Sequence, residues 1–287
     1  MGAELLEDRE IAELADRCAE HAGIDLPRLL VEADDDELKL TTNAQPALLF
    51  MGVALARLLE RRGVRPRAAA GHSVGEYTAL CVAGALSPEA AVKAVTERGR
   101  AMAEAAPPGT SSMSAVLGLR AEDLESALIG VPDVWPANYN TPTQTVIGGT
   151  MLGLQRAAER LQQAGARRVL PLNVAAAFHT PLMEPAGAAL RSSLDLVSWQ
   201  PAAVPVVANL TAEPYQDAAA IPAGLERQLS SPVRWADSVR RLAELGCDCF
   251  VEVGPKRALT GMMRELVPEA RAVAVSTPGA AAELQPN

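Results

Sequence analysis

Among its 287 residues the chain has three histidines and four cysteines, and nowhere a run of about 18 apolar residues. Each scarcity excludes a class of protein. Cys18, Cys81, Cys247 and Cys249 are too few and too unevenly spaced for a disulfide framework, and the Cys-x-Cys pair has no second pair or histidines to complete a zinc site. They read as ordinary small apolar residues, and no permanently bound metal or organic cofactor is expected. Without a long apolar run no membrane span is expected. Basic residues are outnumbered: 26 lysines and arginines against 35 acidic residues give a formal net charge of −9. Phosphate backbones need a basic face, so no nucleic-acid partner is expected. Residues 1–10 have neither a basic n-region nor an apolar h-region, so no signal peptide is expected and the cytoplasm is the expected compartment.

What the chain does have is apolar material, 49% of its residues, enough for a large core. Helical spacing runs over residues 4–21, and Thr41, Thr42 and Asn43 ahead of Pro46 predict the cap and first turn of a helix through Leu59. A short buried strand at 68–71 is followed by helices at 74–83 and 88–104, until Pro107, Pro108 and Gly109 break the pattern. The grammar then changes. Strands at 112–117, 134–138, 145–148 and 169–172 alternate with helices at 121–128 and 153–164, a βαββαβ order that reads as a ferredoxin-like unit. Beyond Asn173 the larger pattern resumes, with helices at 181–194 and 238–245 and strands at 204–208 and 249–253. Residues 1–109 and 174–276 are therefore expected to form a large α/β subdomain, residues 110–173 an inserted small one, and residues 277–287 a flexible tail.

The large subdomain centres on Gly71-His72-Ser73-Val74-Gly75. A strand that reverses into a helix within a few residues strains its central residue, and glycines on both sides are expected to leave room for the close approach. This nucleophile elbow makes the expected fold α/β-hydrolase-like, with a parallel sheet. It would expose the Ser73 hydroxyl beside the free N–H groups of the following helix, including that of Val74, where an oxyanion is favoured. The competing reading is a glycine-rich turn that merely contains serine. A catalytic serine needs a base. His21 lies in a polar helix, and His72 is too constrained within the elbow, which leaves His179. It sits in an apolar loop before Pro181, either as the base or as a core histidine satisfied by a backbone carbonyl.

Gly71-His72-Ser73-Val74-Gly75-Glu76-Tyr77, Arg98-Gly99-Arg100 and Phe178-His179-Thr180-Pro181-Leu182-Met183 together resemble the malonyl-CoA:acyl carrier protein transacylases and the related acyltransferase domains of polyketide synthases. Asn138-Tyr139-Asn140-Thr141-Pro142, the segment from Gln228 to Trp235 and Val251-Glu252-Val253-Gly254-Pro255 extend the resemblance from Met1 to about Val275. It implies malonyl transfer from malonyl-CoA to the phosphopantetheine thiol of an acyl carrier protein, in fatty acid or polyketide biosynthesis. Ser73 would be the nucleophile, His179 the base, the backbone carbonyl of Gln228 the group that orients it, and Arg98 the clamp for the malonyl carboxylate. Left to itself, Arg98 would read as a solvated helix residue. Phe178 and Asn140 fall at the acyl pocket, Phe178 matching the malonyl-selective pattern. Arg167 and Arg168 fall where a basic contact to an acidic carrier would lie, or are two solvated arginines. A monomer is expected.

The chain departs from the family at one point. The family's opening apolar strand and Gly-Gln-Gly-Ser-Gln loop are absent, and Met1 to Leu5 resembles the segment that follows them. Either the start is placed late or a central strand is missing, which would leave sheet edges unpaired; losing an oxyanion donor typically costs about 10²- to 10³-fold in kcat. Two alternatives to the transferase follow: an acyl hydrolase that uses the same serine and histidine, and an inactive homologue.

Overall fold

A computed structural model describes residues 2–107 and 109–285. Helices form the first part of the chain: α1 (Arg9–Ala22), α2 (Leu26–Val31) and α3 (Thr41–Arg61). The Asp8 side chain caps α1 by accepting the Ile11 N–H, and Gly23 ends it at a φ of 66°. Contrary to the capping pattern expected from Thr41 to Asn43, the preceding residue, Leu40, is the cap of α3, and Pro46 lies inside the helix. Strand β1 (Ala69–Ala70) leads through the elbow into α4 (Gly75–Val82), and α5 (Pro88–Ala105) follows, capped by Ser87. Buried side chains from these helices, including Leu14, Phe50, Leu55, Tyr77, Leu80 and Val95, make up the main core.

The small subdomain has the expected order: β2 (Ser111–Leu117), α6 (Ala121–Leu128), β3 (Val134–Thr141), β4 (Gln144–Thr150), α7 (Met151–Gln163) and β5 (Arg168–Pro171). Its antiparallel sheet runs β3-β4-β2-β5, the ferredoxin-like arrangement. Alternation along β2 sends Val116 to the helix-covered face with Leu124, Ile147 and Leu161. Met113 and Ala115 go to the other face, where they join Ala137 and Val146 and meet Leu172 and Phe178.

The large subdomain resumes with α8 (Glu184–Asp195), β6 (Val206–Val207), α9 (Ile221–Gln228), α10 (Trp235–Glu244), β7 (Cys249–Val253), α11 (Ala258–Leu266), β8 (Arg271–Val275) and α12 (Pro278–Glu283). Its parallel strands form two ribbons, β1 with β6 and β7 with β8, rather than one continuous sheet. An apolar cluster of Trp235, Val239, Met263 and Leu266, with Ala70, Phe250 and Ala272 packed against it, spans both.

The expected flexible tail is corrected. Thr277 caps α12 by accepting the Ala280 N–H, and Ala281 and Leu284 are buried in the main core. Residues 286 and 287 lie outside the described residues. Among the described residues no helix is long and apolar enough to cross a membrane.

Candidate active site

The elbow is built by one glycine, not two. A Cβ on Gly71 would lie 1.9 Å from the Gly75 carbonyl oxygen, whereas one on Gly75 would meet nothing within 4 Å. The expectation that both positions need glycine therefore holds only at Gly71, where strand and helix backbones touch. Ser73 takes the strain, with a φ of 55°. One side chain holds the turn closed: Asn209 Oδ1 accepts the Ser73 N–H at 2.7 Å, and Asn209 Nδ2 donates to the Gly71 carbonyl at 2.7 Å. The next N–H, that of Val74, is left without a protein acceptor among the described residues.

His179 reaches the elbow from the loop ahead of α8. Its Nε2 lies 2.7 Å from Ser73 Oγ and its Nδ1 2.9 Å from the Gln228 carbonyl oxygen. A carbonyl can only accept, so Nδ1 carries the proton and Nε2 is free to take the serine's. The ring is buried and its backbone strained, with a φ of 60°. Burial, reinforced by the Arg98 charge, pushes its pKa down to about 3 against the pull of the Gln228 carbonyl, so the imidazole is neutral around pH 7. Of the other histidines, His21 is exposed, and His72 is turned away from the hydroxyl: its Nε2 lies 3.0 Å from Asn140 Oδ1 and its ring 5.6 Å from that of Trp235.

Arg98 is not a solvated helix residue; it is 1% exposed. From α5 its guanidinium donates through Nη1 to Gln45 Oε1, and through Nη2 to Ser73 Oγ at 3.1 Å and Gln228 Oε1 at 3.0 Å. Its Nε has no partner among the described residues, and no carboxylate hydrogen-bonds to the group. A buried cation held only by neutral oxygens, directly beside a nucleophile, is suited to receive an anion.

Phe178 is half-buried and packs against both the main core and the open face of the small sheet. Asn140 sits at a register shift between β3 and β4, and this irregularity turns its amide onto His72. Arg167 and Arg168 are exposed at the edge strand β5, away from any ion pair among the described residues. Four further residues were not singled out from the sequence for this site: Asn209, Gln45, Tyr215 and the Gln228 side chain. Asn209 had a usable signal, since it lies two residues beyond a buried parallel strand, and sites collect at the carboxyl ends of such strands. Gln45 and Tyr215 had none. Among the described residues no group of three or more acidic, histidine or cysteine side chains could hold a metal ion.

A strained serine at a strand-to-helix turn, a neutral imidazole on its hydroxyl and a carbonyl behind the imidazole define a serine-dependent acyl-transfer enzyme. The model of the acyl transferase domain matches residues 1–286. The malonyl CoA-acyl carrier protein transacylase of Bacillus subtilis is 41% identical over 97% of this chain and 89% of its own length. Among solved structures, the same enzyme from Coxiella burnetii is 34% identical with a TM-score of 0.93, over 98% of this chain and 90% of that one. A malonyl-transacylase in complex with a type II polyketide synthase acyl-carrier protein is 36% identical with a TM-score of 0.93, over 98% and 92%. The chain belongs to this acyltransferase family, that of the malonyl-CoA:acyl carrier protein transacylases.

Proposed function

We propose that the protein transfers a malonyl group from coenzyme A, through an ester on Ser73, to the phosphopantetheine thiol of an acyl carrier protein. The observation that carries this reading is the convergence of His179 Nε2 and Arg98 Nη2 on the Ser73 hydroxyl, at 2.7 and 3.1 Å. Base and carboxylate clamp thus meet at one nucleophile.

In the first half-reaction Ser73 Oγ attacks the thioester carbonyl carbon as its proton passes to His179 Nε2, and the Gln228 carbonyl steadies the imidazolium through Nδ1–H. The Val74 N–H, which has no protein acceptor among the described residues, binds the oxyanion. Collapse breaks the carbon–sulfur bond, and the departing coenzyme A thiolate takes the proton from His179. In the second half the carrier thiol gives its proton to His179 and attacks the serine ester, and Ser73 leaves reprotonated. Malonyl enters with its carboxylate on Arg98, displacing the amide oxygens that now occupy the guanidinium. Phe178 and Asn140 flank the acyl group where residues 110–173 meet the larger part of the chain, and Arg167 and Arg168 offer the acidic carrier a basic contact.

The test is selectivity. Hydrogen bonds to charged groups contribute about 1.5 to 3 kcal/mol, so Arg98→Ala lowers kcat/KM for malonyl-CoA by about tenfold to a hundredfold and leaves acetyl-CoA much less affected. Equal loss for both thioesters makes Arg98 structural and removes the malonyl assignment.

A further inference from the structure

Glu76, in the first turn of α4, is buried to 1% exposure and takes no part in the proton transfers above. Its Oε1 accepts the Tyr215 hydroxyl at 2.6 Å, and its Oε2 accepts the Asn209 backbone N–H at 3.0 Å and Gln228 Nε2 at 2.8 Å. The Gln228 amide cannot be flipped. Its Nε2 also donates to the Ser73 carbonyl, and its Oε1 accepts from Arg98, so each end faces obligate partners of the opposite kind. The result is a chain of carboxylate, amide and guanidinium, in which one neutral side chain separates Glu76 from Arg98.

Among the described residues Glu76 and Arg98 are the only buried acidic side chain and the only buried Lys or Arg side chain. A guanidinium does not lose its proton, so the pocket keeps its positive charge at all working pH values. Burial holds the Glu76 carboxyl above the usual carboxylate range, against its three hydrogen-bond donors and the Arg98 charge, which favour the ionised form.

We propose that Glu76 is the resting counter-charge of Arg98, acting through Gln228, and that it limits how tightly the clamp holds the substrate's carboxylate. The proposal rests on the reading of Arg98 as the clamp. With Glu76 ionised, the incoming malonate group meets a cation already partly balanced, one amide away from a like charge. A transferase gains from that balance, because the acyl group must leave again with the carrier. Glu76 is a positioning residue; it touches neither the acyl group nor the reacting atoms.

Glu76→Gln isolates the charge. A glutamine oxygen can accept from Asn209 and Gln228 while its amide nitrogen donates to the Tyr215 hydroxyl oxygen, so shape and hydrogen bonding survive. The measurement is calorimetric binding of malonyl-CoA and of acetyl-CoA, in a Ser73→Ala background where no acyl transfer occurs. Removing a like charge at this range in a poorly solvated site lowers the malonyl-to-acetyl Kd ratio by at least about fivefold. Tyr215→Phe, which removes one donor from the carboxylate and favours its neutral form, moves the ratio the same way, and it decides the matter alone if Glu76→Gln does not fold. A ratio that is unchanged or raised overturns the proposal, since a merely structural Glu76 would weaken both ligands together. Arg98→Ala in the same background keeps the two readings apart. If it leaves the ratio unchanged, the clamp itself is refuted; if it raises the ratio while Glu76→Gln does nothing, only the role of Glu76 falls.

Discussion

Among the described residues, four non-glycine residues have positive φ, and Ser73 and His179 are two of them. The backbone strain thus falls on the two residues whose side chains meet at 2.7 Å, the proposed nucleophile and base. The electrostatics follow from burial. His179 titrates near 3 instead of near 6.5, so the unfolded chain binds one more proton than the folded one between those values, and native stability falls as pH drops through that window. For the reaction the sign favours the base: neutral imidazole persists in the free enzyme well below pH 6.5. The acid limb of kcat/KM for malonyl-CoA is accordingly expected below about pH 5, and a limb near 6.5 would show that His179 is solvated in the working enzyme. Ser73, His179 and Arg98 were legible in the sequence because each lies in a short run of distinctive neighbours. Asn209 and Gln228 act on Ser73 from 136 and 155 positions away, and only the topology of β6 and α9 brings their amides there.

At the level of elements, the elbow separates two glycines that the motif treats alike. Gly71→Ala forces a Cβ into the Gly75 carbonyl and is expected to cost about 3 kcal/mol or more, or to give no soluble protein, while Gly75→Ala changes stability by no more than about 1 kcal/mol. Thermal melts of the two variants check this, and similar melting temperatures would contradict the asymmetry. Long periodic helices such as α5 and the strands of the small subdomain could be read from spacing. What escaped was decided by packing. Strand β3 runs on through Asn140 because the Val233 segment pairs with its outer edge, at Ala137 and Tyr139. The alanine-rich stretch after Thr277 looks disordered by composition, yet Ala281 and Leu284 find a place in the core. Helices α2, α9 and α11 are short and lack a long enough apolar period to stand out.

Over the whole molecule, Ser73 and Arg98, the proposed nucleophile and clamp, lie outside residues 110–173, whose sheet packs against the neighbouring residues His72 and Phe178. Asn140 hydrogen-bonds His72, Ser111 Oγ accepts the Ala177 N–H two residues before His179, and Phe178 packs against both cores. Phe178, half-buried and next in sequence to His179, is the proposed acyl-pocket residue, so Phe178→Ser is expected to raise methylmalonyl-CoA use relative to malonyl-CoA. A methyl-sized change in a pocket is worth about 1 to 3 kcal/mol, which makes the shift partial; an unchanged ratio of kcat/KM values would remove Phe178 from the acyl pocket. The central claim, covalent transfer through Ser73, is tested most directly by a mass-spectrometric chase. Incubation with malonyl-CoA is predicted to add one malonyl group to the peptide bearing Ser73 in the wild type and none in Ser73→Ala, and addition of phosphopantetheinylated carrier protein to move that group onto the carrier. Absence of the adduct, or its release as free malonate with the carrier left unmodified, would contradict the account.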